Sequence, residues 1–111
     1  MPWALLTTDR AVPEVPLEAL EARAAGAVVV DVREPDEYAA GHIPGALSLP
    51  QADLASRLDE LPRDRPLLLV CQSGVRSMRA ARFLAQAGYP DVASVRGGTV
   101  AWIAAGGAVA A

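Results

Sequence analysis

Leu67-Leu68-Leu69-Val70-Cys71-Gln72-Ser73-Gly74-Val75-Arg76-Ser77, continued by a helical pattern to Ala87, is the stretch that decides the fold of this chain. Four consecutive apolar residues without alternation read as a strand buried on both faces, the kind that parallel sheets contain. Cys71 closes the run, and a short polar segment with one glycine follows. Ser77–Ala87 then spaces Met78, Ala81, Phe83, Leu84 and Ala85 so that they can share one helix face, with Gly88 at its end. In an open α/β sheet, ligands bind outside the carboxyl ends of the strands, where loops lead into helices. Cys71 stands at such an edge.

The flanking sequence repeats the alternation of strand and helix. Upstream, Pro16 followed by Leu17, Leu20 and Ala24 has helical spacing that ends at Gly26. Ala27–Val30 reads as another buried strand, closed by Asp31. Glu34–Gly41 reads as a short helix: Pro35 suits its first turn, acidic residues favour its positive N-terminus, and Gly41 stops it. Ala46–Leu49 predicts a short strand and Gln51–Leu61 an amphipathic helix. Downstream, Val92–Val95 reads as a strand and Thr99–Ala105 as a short helix anchored by Trp102. The pattern predicts an α/β fold around a mostly parallel sheet. At 111 residues the chain is expected to be one domain, with residues 1–10 forming an N-terminal extension or an edge strand.

Composition narrows the functional classes. A hydrophobic content of 52% suffices for one packed core. The longest apolar runs, Ala24–Val30 and Pro66–Cys71, fall far short of the roughly 20 residues that cross a bilayer. No basic segment precedes the short apolar stretch at the N-terminus, so the reading is a cytoplasmic protein without a secretory signal. A net charge of −3 argues against nucleic acid as a partner. The single cysteine excludes an intrachain disulfide, a multi-cysteine zinc site and a second, resolving thiol in the same chain. Whatever Cys71 carries must pass to another molecule.

The turn after Cys71 has the properties of an anion site. A helix that begins near Ser77 directs unpaired N–H groups and the positive end of its dipole toward the loop. Gly74 lets successive amides converge on one point, and Arg76 adds a permanent positive charge. Each favours thiolate over thiol, and the thiolate is the nucleophile. A lone cysteine at the end of an apolar strand is more often an inert small hydrophobe. An inert core residue does not need a polar, glycine-containing turn with an arginine five residues on.

Cys71-Gln72-Ser73-Gly74-Val75-Arg76-Ser77 resembles the active-site loop of the rhodanese homology domain, whose common form is Cys-x-x-Gly-x-Arg. Three further blocks match that family in order: Asp31–Tyr38, Gly41–Ala46 and Gly97–Trp102. The resemblance spans about residues 12–108. It implies a three-layer fold, with the sheet flanked by helices on both faces, and a sulfurtransferase that needs no cofactor or metal. In that reading the Cys71 thiolate takes the outer sulfur of thiosulfate or a persulfide donor. The resulting persulfide then gives the sulfur to cyanide, a small thiol or a protein cysteine. Cys71 and Arg76 are the expected catalytic residues, with Gln72, Ser73, Gly74, Val75, Ser77 and Arg33 around the substrate. The related phosphatases resemble Cys-x5-Arg, whereas Arg76 follows Cys71 by five positions, which makes the loop Cys-x4-Arg. The alternative within the family is a non-catalytic interaction or regulatory module, but such modules usually lose the cysteine. Donor, acceptor and pathway stay open, and the oligomeric state lies between a monomer and a weak dimer.

Other residues carry more local expectations. His42, the only histidine, excludes a histidine metal cluster and reads as structural. Asp31 is expected to organise neighbouring loops, and Arg33 either to pair with it or to reach the pocket edge. Ser77 has helix-cap chemistry and could also donate to the Cys71 sulfur. Arg79 and Arg82 are either a solvated helix face or a positive field at the entrance. Tyr38 and Trp102 read as core anchors, and Gly97-Gly98 as a tight loop near the pocket.

Overall fold

The computed structural model describes residues 12–111. Five strands form one sheet in the order β1-β5-β4-β2-β3, and every pairing is parallel. They are β1 (Glu14–Val15), β2 (Val28–Asp31), β3 (Leu47–Ser48), β4 (Leu67–Val70) and β5 (Val92–Val95). The stretch Leu67–Val70 is the central strand, and all four of its side chains are buried. The pleat sends them to two separate cores. Leu67, Leu69 and Cys71 pack with Ala80, Ala81 and Leu84 of the helix α2 (Val75–Gln86). Leu68 and Val70 pack on the other face with Leu20, Val29 and Val95, against which Tyr38 and Trp102 also lean. The layers are therefore helix, sheet and helix, as expected. The second face is covered by residues 17–25, by α1 (Pro35–Ala40) and by α3 (Gly98–Ala104).

Several elements differ from the sequence expectation. Residues 17–25 wind as a 3₁₀ helix, with the tighter i to i+3 bonding, and still bury Leu20 completely. Gln51–Leu61 is not one amphipathic helix. It splits into two short 3₁₀ turns, Gln51–Asp53 and Leu58–Glu60. The apolar spacing was met in another way, because Leu54 and Leu61 are buried while the Tyr89 hydroxyl lies 2.8 Å from the Leu58 carbonyl and 3.1 Å from that of Leu61. The Leu58 carbonyl also accepts the Leu61 N–H at 3.0 Å within its turn, so the Tyr89 hydroxyl adds a bond across the fold to local 3₁₀ bonding. α2 starts at Val75, two residues before the predicted start, because Gly74 is its N-cap and the Gly74 carbonyl accepts the Met78 N–H. β1 is too short to leave a periodic signal. The alternatives for residues 1–10 lie outside the described residues.

The carboxyl ends of the strands carry the polar groups. Asp31 ends β2 beside Val70, and the Val32 N–H bonds the Val70 carbonyl at 3.0 Å. The Arg33 guanidinium closes on the buried Asp31 carboxylate at 2.9–3.2 Å and donates to the Gly41 carbonyl at 2.8 Å. This pair ties the end of α1 to the sheet. Tyr38 and His42 stack at 3.7 Å, with His42 Nδ1 2.8 Å from the Tyr38 carbonyl oxygen. The Tyr38 hydroxyl donates to the Ala46 carbonyl. His42 is held as a structural residue, and Tyr38 and Trp102 serve as anchors.

Leu69 is fully buried at the centre of the sheet. Leu69→Ala is expected to lower the unfolding free energy by about 2–5 kcal/mol in urea titration. A loss below 1 kcal/mol would contradict this placement of the core.

Candidate active site

β4 ends at Val70, so Cys71 is the first residue beyond the central strand. Its side chain is only 1% exposed, under the loop that leads into α2. The Gly74 N–H donates to Cys71 Sγ at 3.0 Å. Gly74 has a φ of +111°, in the left-handed region that a residue with a Cβ rarely adopts, and this turns its amide back toward the sulfur. The roof of the loop is the start of α3. The Thr99 N–H bonds the Cys71 carbonyl at 2.9 Å, and the Val100 N–H bonds the Gln72 carbonyl at 3.0 Å. A Cβ on Gly98 would overlap the Cys71 carbonyl oxygen, so the two backbones can meet only because residue 98 is glycine. Gly97-Gly98 thus forms the expected close approach.

Beneath the sulfur lies a pair of buried hydroxyls. Ser77 Oγ is 3.5 Å from Cys71 Sγ and 2.8 Å from Ser94 Oγ, and neither serine is exposed. The thiol can donate to Ser77. Once it is ionised, Ser77 must donate to sulfur instead, and Ser94 can then donate to Ser77. The pair therefore satisfies both charge states of the sulfur without moving a heavy atom. Ser77 sits in the first turn of α2, so its expected capping role falls to Gly74. Ser94 was not singled out in the sequence. The available signal was one hydroxyl in the otherwise apolar strand Val92–Val95.

Burial pushes the Cys71 thiol up. The Ser77 hydroxyl and the amides of Ser77, Gly74 and Ser73 act in the opposite direction and outweigh it, so the thiol is held below its usual range. Hydrogen bonds to a charged group contribute about 1.5–3 kcal/mol each. One pKa unit corresponds to about 1.4 kcal/mol, so a few such donors can offset the burial of one sulfur.

Arg76 does not stand alone beside the loop. Its Nη1 and Nη2 atoms lie 2.7 and 3.0 Å from the two carboxylate oxygens of Glu37. Glu37 also accepts the Glu34 N–H at 2.9 Å, which closes a capping box at the start of α1. The Arg76 hydrogen bond, followed by the Glu34 amide, lowers the Glu37 carboxyl from 4.5 to about 2. The arginine thus fastens the N-terminus of α2 to that of α1, and the free positive charge expected near the sulfur is largely neutralised. Glu37 was read only as a helix-start acid. Arg33 is buried and committed to Asp31 and Gly41, not offered to the loop. Gln72, Ser73 and Val75 are exposed around the mouth. A separate groove, lined by Leu17, Glu18, Glu21, Trp102 and Ala105, shares no residue with this site.

A family model described as rhodanese-like domain matches residues 15–105. The chain is 43% identical over 94 residues to a sulfurtransferase of Allochromatium vinosum, covering 82% of this chain and 88% of that protein. It is 45% identical over 87 residues to the thiosulfate sulfurtransferase GlpE of Pseudomonas entomophila, covering 78% and 80% respectively. Among solved structures, a rhodanese-related protein from Thermoplasma volcanium is similar with a TM-score of 0.81 and 32% identity, covering 88% of this chain and 97% of that one.

Two pH dependences are expected. The rate of Cys71 alkylation by iodoacetamide should rise with a midpoint below the ordinary thiol value of 9.0, and Ser77→Ala should move that midpoint upward. An unmoved midpoint would remove the hydroxyl from the account. The second concerns Glu37, whose carboxyl is depressed in the folded state. Its pair with Arg76 therefore stabilises the fold fully above about pH 4.5, and this contribution is lost as pH falls toward about 2. The stability gap between the native chain and Glu37→Gln should be flat above that window and close within it. A gap that persists at the acid end would contradict the pairing.

Proposed function

Because the chain belongs to the rhodanese-like domain family, we infer that it is a sulfurtransferase whose sulfur is carried on Cys71 as a persulfide. The observation that carries this reading is the buried Cys71 Sγ facing the Gly74 amide at 3.0 Å at the end of the central strand. An acidic thiol placed against N–H donors is both a better thiolate and a better leaving group.

In the first half-reaction the Cys71 thiolate attacks the outer sulfur of thiosulfate. A bond forms between Cys71 Sγ and that sulfur, the sulfur–sulfur bond of the donor breaks, and sulfite departs with the electron pair. In the second, an acceptor such as cyanide, a small thiol or a protein cysteine attacks the outer sulfur of the persulfide. The Cys71 thiolate then returns to the loop amides. Negative charge sits on the Cys71 sulfur in the resting thiolate and returns to it as the persulfide is cleaved, so the same donors stabilise it before loading and after transfer.

The neighbouring residues divide into two groups. The amides of Ser73 and Gly74 and the hydroxyl of Ser77 face the sulfur, while Gln72 and Val75 border its approach. Arg76, held by Glu37, fixes the junction of loop and helix, and its remaining field reaches Cys71. Arg33 acts through Asp31 to hold the sheet edge and does not bind substrate. The Cys-x4-Arg length favours a cradle for one added sulfur over one for a phosphoryl group. Loss of the sulfur to disulfide formation is avoided in a reducing compartment, which supports a cytoplasmic setting.

Mixing the protein with thiosulfate in the absence of acceptor should release one equivalent of sulfite, and cyanide should convert this burst into turnover. Cys71→Ser should abolish both. Arg76→Ala should lower kcat/KM for thiosulfate by about tenfold or more while circular dichroism is unchanged, since the loop loses the clamp to Glu37 and the sulfur loses the remaining field of the guanidinium. Full turnover in Arg76→Ala would exclude the arginine from the mechanism.

A further inference from the structure

The sulfur site has an apolar rim. Val75 is 63% exposed and Val100 51% exposed. Val75 opens α2 directly after Gly74, while Val100 lies on α3 with its N–H on the Gln72 carbonyl. Since α2 and α3 cover opposite faces of the sheet, the two branched side chains flank the loop that holds Cys71. Ile103, one turn beyond Val100, is exposed to the same extent.

Charge is uneven. Every ionisable residue of α2 is an arginine, on a chain whose net charge is −3. Arg76 is neutralised by Glu37. Arg79 and Arg82 are exposed and make no hydrogen bond or ion pair within the described residues. Val75, Arg79 and Arg82 recur at i, i+4 and i+7, which places them along one outward strip running from the mouth of the site. Nothing within the described fold requires this strip to be basic.

A small anion would respond to the field but would gain nothing from exposed valine and isoleucine. A surface that is both apolar and basic beside a nucleophile fits a macromolecule with acidic and apolar side chains around its own thiol. We propose that Val75, Val100, Ile103, Arg79 and Arg82 form a docking surface for an acidic protein whose cysteine accepts the sulfur, an inference that rests on the sulfurtransferase reading. The partner's thiolate attacks the outer sulfur of the Cys71 persulfide, forming a new sulfur–sulfur bond as the bond to Cys71 Sγ breaks. Cys71 leaves as a thiolate with the electron pair, the transferred sulfur carries the proton that the persulfide takes from water after loading, and no external oxidant or reductant takes part.

The test has two stages. Cys71 is loaded from thiosulfate, and loading is scored by intact mass before any acceptor is added. The loaded protein is then mixed at low ionic strength with two synthetic peptides, each with one cysteine between leucines, flanked by glutamates in one and by lysines in the other. The ratio of the two transfer rates should fall by about tenfold or more in Arg79→Glu/Arg82→Glu, because electrostatic steering changes association rates by about that factor or more. Arg79→Lys/Arg82→Lys should keep the native ratio. Transfer to the uncharged 2-mercaptoethanol should change by less than about threefold, and thiosulfate loading should fall by a smaller factor than transfer to the glutamate peptide. An unchanged peptide ratio would overturn the docking surface, as would a loss of thiosulfate loading by the same factor as the loss of transfer to the glutamate peptide. Absence of any loading would overturn the sulfurtransferase reading itself, and the docking surface with it.

Discussion

The Gly74 N–H, 3.0 Å from Cys71 Sγ, is the contact on which the rest of the structure converges. It requires the central strand to end one residue earlier, so that Cys71 leaves the sheet with its sulfur still pointing into the core shared with α2. It requires a residue without a Cβ at position 74, where φ is +111°. It also requires α2 to begin at once, so that Ser77 comes under the sulfur. The start of α3 then fixes the loop from above through the Cys71 and Gln72 carbonyls. A buried sulfur would ordinarily be driven to the neutral thiol. Here the surrounding donors outweigh that tendency, and the fold can hold an anion where most folds hold a small apolar side chain.

The arginines contribute in a different way from a free charge next to the nucleophile. Arg33 and Arg76 both work as clamps. Arg33 joins Asp31 at the end of β2 to the Gly41 carbonyl, and Arg76 joins α2 to Glu37 at the start of α1. The two pairs secure the same short helix at its two ends. Local positive potential at the sulfur therefore comes mainly from backbone amides and the α2 dipole, which cannot rotate away or be drawn off by a counterion. Arg79 and Arg82 remain available on the surface, so basic charge is divided between holding the site and meeting what approaches it.

Much of this was legible in the sequence. Leu67–Val70, Val92–Val95 and Ala27–Val30 are short β-branched or leucine runs with Ser94 as their one polar residue, and they became the three inner strands, Ala27 excepted. Cys71 and Gly74 could be singled out because strand-to-helix turns need few residues and each has a distinct chemical use. Gln51–Leu61 misled because Leu54, Leu58 and Leu61 have helical spacing, whereas the chain turns there in two short 3₁₀ pieces, and the Leu58 and Leu61 carbonyls also meet the hydroxyl of Tyr89, distant in sequence. Ser94 and Glu37 were missed as parts of the site for a related reason. Their partners, Ser77 and Arg76, lie 17 and 39 positions away and meet them only once parallel strands bring the elements to one edge. Pairings of that kind leave no local pattern.

Intact-mass measurement of the native chain after exposure to thiosulfate tests the persulfide on Cys71 most directly. The mass should rise by one sulfur atom, return to its starting value on addition of cyanide, and stay constant in Cys71→Ser. A native chain that gains no sulfur from thiosulfate, polysulfide or a persulfide donor, or one whose gain survives Cys71→Ser, would contradict it.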